Sequence, residues 1–328
     1  MRTSPSVRLA LIIFSSSILH AGAADAAAPP SQDPASAAAR GRVTPLAVQV
    51  THPGMLAAET KRLTMKVSAV IDQVLQTPAL KDPRGFSLTR SLKVDAPLTG
   101  YGWHPARGKV VMIAQDIDLS ANPKPDAKGA YMGRLEGPSL HIGINDLTAL
   151  YANVFSDPDA DDFLTLPLMR ISQQGYPVFR VGLRDVVLIA KPGKMPYVPV
   201  SKAEYLQSLL DAEAKSQAEF GPPTNPRAKA YQEKLFATKA SLTAEEGTAP
   251  ACASSRLSQV FGDCNEADAS FYVRLNTDYF QRGQGAGTVQ MITIEVPVEG
   301  RDGHKRLEPR LRDAAGALDL DAIAALLD

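Results

Sequence analysis

Two hydrophobic periods alternate along this chain. Over residues 55–75, Leu56, Leu63, Val67, Val70, Ile71 and Val74 fall near one face of a 3.6-residue repeat, with Lys61, Arg62, Lys66 and Asp72 elsewhere. That spacing predicts an amphipathic helix, stopped by Pro78 and the Asp82-Pro83-Arg84-Gly85 turn. Over residues 86–191 the period becomes two. Strands are predicted at 109–119, 140–144, 163–168, 176–181 and 185–190, with Gly, Pro, Asn and Asp between them. Pro167 would delete a ladder hydrogen bond, so its strand belongs at a sheet edge or ends early.

The helical period returns after Pro199. Ser201 and Glu204 fit a capping box ahead of Leu206, Leu209 and Leu210, and Gly221-Pro222-Pro223 ends that helix. A second helix is predicted over 227–239, a polar loop over 241–265, and strands over 270–275 and 289–296. In the last strand Ile292, Ile294 and Val296 oppose Met291, Thr293 and Glu295. Asp319 is expected to cap a short final helix carrying Leu320, Ile323, Leu326 and Leu327. Strand following strand without intervening helices favours antiparallel meanders over β-α-β units. The expected fold class is α+β: a mostly antiparallel sheet with flanking helices. The expected organisation is a single domain over 43–328, with two subdomains split near residue 192 as the alternative.

The first 23 residues have a different character. Arg2 and Arg8 precede an apolar run over 9–19, followed by His20-Ala21-Gly22-Ala23. That order is the secretory signal pattern, with cleavage expected after Ala23. The run is too short to cross a bilayer, which needs about 20 apolar residues. An uncleaved anchor or a buried first helix is the competing reading. Residues 24–42, rich in Ala, Pro and Ser, are expected to form a flexible leader. No second apolar block follows, so no transmembrane segment is expected after cleavage, and the expected location is periplasmic or secreted. Export gives Cys252 and Cys264, the only cysteines, a simple use as one disulfide. Two free thiols or a transient metal site are the alternatives. Lys+Arg and Asp+Glu balance at 35 each. A nucleic-acid partner would need a basic excess, so none is expected.

Three stretches carry a resemblance: Met195-Pro-Tyr-Val-Pro-Val-Ser-Lys-Ala-Glu-Tyr-Leu206, Leu275-Asn-Thr-Asp-Tyr-Phe280 and Gln290-Met-Ile-Thr-Ile294. Together they resemble exported bacterial proteins of uncharacterised function. The resemblance covers short patches of the second half. It implies export and carries no activity or catalytic residue with it.

Motifs that would specify chemistry are weak. Gly137-Pro-Ser139-Leu-His141 approaches the nucleophile-elbow pattern, but His141 replaces the last glycine and the segment reads as a strand. Gly283-Gln-Gly285-Ala-Gly287 leads into a strand, not the helix that phosphate cradling requires, and reads as a loop or turn. Asp157, Asp159 and Asp161 offer oxygens to calcium, though the EF-hand Gly and Glu positions hold Asp162 and Leu168; a solvated acidic loop competes. No other cofactor is expected. Tyr101 and Trp103, between glycines, could stack on a sugar or peptide, or plug the rim of the core. No two of His52, His104, His141 and His304 share metal-ligand spacing. His141 is expected on a solvent face, as are Asp116 and Asp118.

The expected function is therefore a non-enzymatic binding or scaffold protein of the bacterial envelope. The alternative is a hydrolase of envelope polymers in which His104, Asp116, Asp118 and His141 converge. The sequence names no partner.

Overall fold

The period-two segments pair into one large sheet and one small one. A computed structural model describes residues 32–52, 54–96, 103–134, 136–151, 163–167, 169–254, 259–266, 269–298 and 306–328. The large sheet runs in the order β1 (Ala47–Val50), β2 (Phe86–Asp95), β3 (Arg107–Asp116), β4 (Ser139–Ile144), β11 (Met291–Pro297), β8 (Arg184–Ala190), β7 (Pro177–Val181) and β6 (Arg170–Ile171). The small sheet is β5 (Leu164–Pro167), β10 (Ser270–Leu275) and β9 (Tyr197–Pro199). Every pairing is antiparallel except β1 with β2. With its helices the fold is α+β, as the alternation implied.

Side chains alternate across a strand, so each sheet face has its own core. Leu88, Val110, Met112, Ile142 and Ile294 point to one face and pack under helix α2 (Ala57–Gln76) through Leu63, Val67, Val70, Ile71 and Val74. Helices α6 (Glu308–Gly316) and α7 (Leu320–Ala324) cover the rest of that face with Leu311, Ala314, Leu320 and Ile323. Asp319 accepts the Ala322 amide at 2.9 Å and so caps α7. On the opposite face Phe179, Val186, Leu188 and Met291 meet Leu164, Leu166, Val273 and Leu275 of the small sheet. Pro167 ends β5 at the edge of that sheet, where a missing N–H costs least.

Helices α3 (Lys202–Phe220) and α4 (Pro226–Ser241) form a hairpin with a separate small core of Leu206, Leu210, Leu235 and Val260. Ser201 caps α3 by accepting the Glu204 amide at 3.2 Å, but the Glu204 carboxylate pairs with Arg274 at 2.7 Å instead of returning to the cap. Cys252 and Cys264 form the expected disulfide, which pins the loop beside β10.

At its beginning the folded part departs from the sequence reading. Residues 32–328 form one compact unit, so the folded part begins before residue 43. Helix α1 (Pro34–Ala38) is capped by Asp33, buried Ser36 accepts the Leu119 amide at 2.8 Å, and Gln32 donates to the carbonyls of Gly85 and Ile117. Polar anchors thus fix a segment whose composition lacks apolar ones. The expected signal peptide lies outside the described residues. The glycine-rich stretch is a turn over Arg282–Gln284 that presses onto α2: a Cβ on Gly287 would lie 2.6 Å from the Glu59 carbonyl oxygen. Its glycines serve a close approach.

Asn145, fully buried at φ +51°, ties β3, β4 and β11 together. Its amide donates to the carbonyls of Ala106 and Thr288, and its oxygen accepts the amides of Gln290 and Met291. Replacing Asn145 with Ala strands four buried backbone groups, at about 1–3 kcal/mol each before relaxation. Chemical denaturation should show Asn145→Ala losing at least about 3 kcal/mol; a loss below about 1 kcal/mol would mean the junction is held by something else.

Candidate functional site

The residues singled out in the sequence do not gather in one place. Asp116 ends β3 and pairs with Arg306. Asp118 lies past the strand end and caps the turn at Leu119–Ala121, accepting from the Ser120 amide and hydroxyl. His104 precedes the other end of β3. It is buried, its ring is tilted against that of Phe280 with centroids 4.2 Å apart, and its Nδ1 lies 2.7 Å from the Pro105 carbonyl. His141 stands opposite Val111 in mid-strand, so Asp116 is five residues, about 17 Å, further along β3. Trp103 is half-buried against the second core, in the plugging position. Tyr101, Asp157, Asp159 and Asp161 lie outside the described residues. Among the described residues no group of three or more His, Cys, Asp or Glu side chains could hold a metal ion. None of their helices is long and apolar enough to cross a membrane.

The three stretches of the resemblance do meet, in the structural core. Asn276 donates to the Met195 carbonyl at 2.9 Å, Leu275 pairs with Tyr197, and fully buried Tyr279 donates to the Gln290 carbonyl at 2.8 Å. These contacts join the small sheet to β11. They account for the pattern by packing.

His141 does sit in a polar cluster. Ser139 and His141 are two apart on β4 and share a face, and Glu295 on β11 is directly opposite His141. The Ser139 hydroxyl is 2.9 Å from His141 Nε2, and His141 Nδ1 is 3.4 Å from Glu295 Oε2. Arg184 on β8 donates to the Ser139 carbonyl at 2.9 Å and to its hydroxyl oxygen at 2.8 Å. Proton bookkeeping allows one arrangement: the Glu295 carboxylate needs the proton on Nδ1, leaving Nε2 to accept the Ser139 hydroxyl proton. The His141 side chain is 15% exposed and that of Glu295 7%. Sequence reasoning placed His141 on an open face because it could not see Glu295, 154 residues away.

Beside this cluster, on the same face, is a cavity of about 440 Å³ whose wall includes Lys93, Arg107, Lys109, Val111 and Asp146. Arg107 and Asp146 are 3.9 Å apart, and Lys93 pairs with Asp95 at 2.8 Å.

A second, apolar hollow of about 800 Å³ lies at the sheet margin, where Val48 and Val50 of β1 face Ala57, Met65 and Ala69 of α2. Val48, Val50 and Met65 are 44%, 42% and 63% exposed, a cluster of apolar surface and not a single stray side chain. Its charged liners, Lys61 and Asp72, cancel.

The polar cluster should set the acid limit of stability. Burial pushes the His141 imidazole below its ordinary 6.5, although the Glu295 hydrogen bond pulls it up. Burial raises the Glu295 carboxyl, but the His141 hydrogen bond and the charge of Lys109 hold it below its ordinary 4.5. As pH falls, the unfolded chain therefore takes up a proton at each site before the folded chain does. Stability contributed at neutral pH declines from about 6.5 downward for His141 and from about 4.5 downward for Glu295. Urea midpoints measured from pH 8 to pH 3 should fall in both windows, and His141→Asn should flatten the upper one; an unchanged upper window in the variant contradicts the assignment.

No protein-family model matches this sequence, no curated protein is detectably similar to it, and no solved structure matches its fold.

Proposed function

We propose that this chain is an exported binding or scaffold protein of the bacterial envelope that captures an extended polypeptide segment on the open edge of β1. Export is supported by the charged, apolar and small-residue order over residues 1–23 and by the Cys252–Cys264 disulfide.

The binding reading rests on how the sheet edges differ. An edge strand exposes unpaired backbone N–H and C=O groups, and proteins blunt such edges with proline, charge or shortness. Among the described residues two sheets give four edges. β6 is two residues long and carries Arg170, paired with Asp185 at 2.7 Å. β5 ends in Pro167 and β9 in Pro199. β1, Ala47-Val48-Gln49-Val50, has no proline and no charge, and all four residues are exposed. Its neighbour on the open side is the apolar hollow against α2. A strand added there would satisfy β1's outer backbone groups and lay alternate side chains into the hollow, the β-augmentation mode of peptide recognition. The hollow lacks net charge, so the occupant is an uncharged, alternately apolar segment.

A display library of random eight-residue peptides, panned on the purified mature protein, should yield sequences with apolar residues at alternate positions. Val48→Lys with Val50→Lys should weaken a selected peptide at least about tenfold, the equivalent of 1.4 kcal/mol. Failure to enrich such peptides, or equal binding by the double variant, overturns the reading. N-terminal sequencing of the protein from the producing cell's envelope fraction should begin at Ala24, and an intact Met1 in the cytosol contradicts export.

A further inference from the structure

We propose that Ser139, His141, Glu295 and Arg184 form a nucleophilic site that hydrolyses small carboxylic esters, with Ser139 as the attacking group. This goes beyond the binding reading and does not use the open backbone edge of β1, although Ala47, Val48 and Gln49 also line the cavity beside the cluster.

The geometry meets the requirements one at a time. A nucleophilic hydroxyl needs a base within about 2.6–3.2 Å, itself oriented by a third group. Ser139 Oγ lies 2.9 Å from His141 Nε2, and Glu295 fixes the imidazole through Nδ1. Because the carboxylate holds the Nδ1 proton, the nitrogen facing Ser139 is the basic one. Arg184 Nη2, 2.8 Å from Ser139 Oγ, places a fixed positive charge where an oxyanion next to that oxygen would form. Ser139 and His141 come from β4, Arg184 from β8 and Glu295 from β11, three strands of one sheet, which holds positions better than loops do.

A second observation marks this face as more than a staple. Glu295 Oε1 and Thr293 Oγ1 belong to residues only 6% and 0% exposed, yet neither atom has a hydrogen-bond partner among the described residues. Thr293 stands over Gly143, where a Cβ would come within 2.3 Å of its hydroxyl oxygen. The sheet is thus kept free of side chains one step from His141. The cavity of about 440 Å³ on the same face reaches Val111, the residue opposite His141.

In the reaction, Ser139 Oγ attacks the ester carbonyl carbon as its proton passes to His141 Nε2. The carbonyl electron pair moves to oxygen beside Arg184. Collapse breaks the bond to the alcohol oxygen, which takes the proton from His141. Water then attacks the acyl-serine, giving its proton to His141. The second collapse releases the carboxylic acid and returns the proton to Ser139 Oγ. The sum is ester plus water giving acid plus alcohol.

The test uses the mature protein, a fluorophosphonate probe and p-nitrophenyl acetate. Peptide mapping of the labelled wild type should place the phosphonyl group on Ser139, and p-nitrophenol release should be lost in Ser139→Ala. His141→Asn should slow labelling about 100-fold. If that variant does not fold, the wild-type pH profile decides: labelling should slow as the pH falls below 6.5 and His141 takes up a proton, and a rate that does not fall between pH 8 and 4 overturns the proposal. Absence of label on Ser139, label elsewhere with Ser139 untouched, or labelling unaffected by His141→Asn each overturns the proposal.

Discussion

β11 is the interaction on which the rest of the molecule depends. It is the last strand among the described residues, yet it inserts between β4 and β8 in the middle of the large sheet. Its register pairs Ile294 with Ile142 on one side and with Val187 on the other. Without it, the sheet would divide into β1–β4 and β6–β8, each ending in an unpaired strand. All seven of its residues are buried. A strand in that position must satisfy its backbone on both sides and its side chains on both faces. The first requirement is met by the two ladders and by Asn145, which supplies the turn-like hydrogen bonds where β11 begins. The second is met by Ile292, Ile294 and Val296 in the helix-covered core, by Met291 against the small sheet, and by pairing of Glu295 with His141. The polar cluster follows from this. A charged side chain on a fully buried strand needs a partner, and His141 is the partner the register provides.

Much of the fold was legible in the sequence because period-two alternation is a local signal. Ile292, Ile294 and Val296 could be assigned to one face from the sequence alone, as could Leu140, Ile142 and Ile144. Pro167 as an edge marker, Asp319 as a cap and Cys252 with Cys264 as a pair were legible for the same reason: each acts within a few residues. The second core was harder to see. Phe179, Leu188 and Met291 sit on the face that alternation assigns to solvent, and only a second sheet laid across them reverses that assignment. Order between residues 32 and 42 was missed because Gln32 and Ser36 are anchored by hydrogen bonds to residues 53 or more positions away, not by apolar side chains.

The candidate site shows the same divide. His141 was visible as a titratable side chain on a strand, and Ser139 as a motif that fell short of an elbow. Glu295 and Arg184 carried no signal, since the first looks like any outward charge on an alternating strand and the second like a turn arginine. Their meaning appears only when β11 brings positions 141 and 295 into register. The β1 edge was no more visible. A four-residue strand beside a helix is unremarkable until the other three edges are seen to carry protection that it lacks.

These two features differ in what they require of the chain. β1, α2, β2, β3 and β4 lie within residues 47–144, and their strands are joined by neighbouring pairings such as Phe86 with Asp116. The apolar hollow is built wholly from this half. The polar cluster needs β4, β8 and β11 together, with Ile142 pairing to Ile294 across some 150 residues of chain. Such a contact carries a larger loop-closure cost than a local hairpin. The hollow is lined by residues of one half alone, whereas the cluster requires strands from both. The two sites share a sheet but draw on different parts of it. They are not fully separate, because Val48 lines both the hollow and the cavity that reaches Val111 opposite His141.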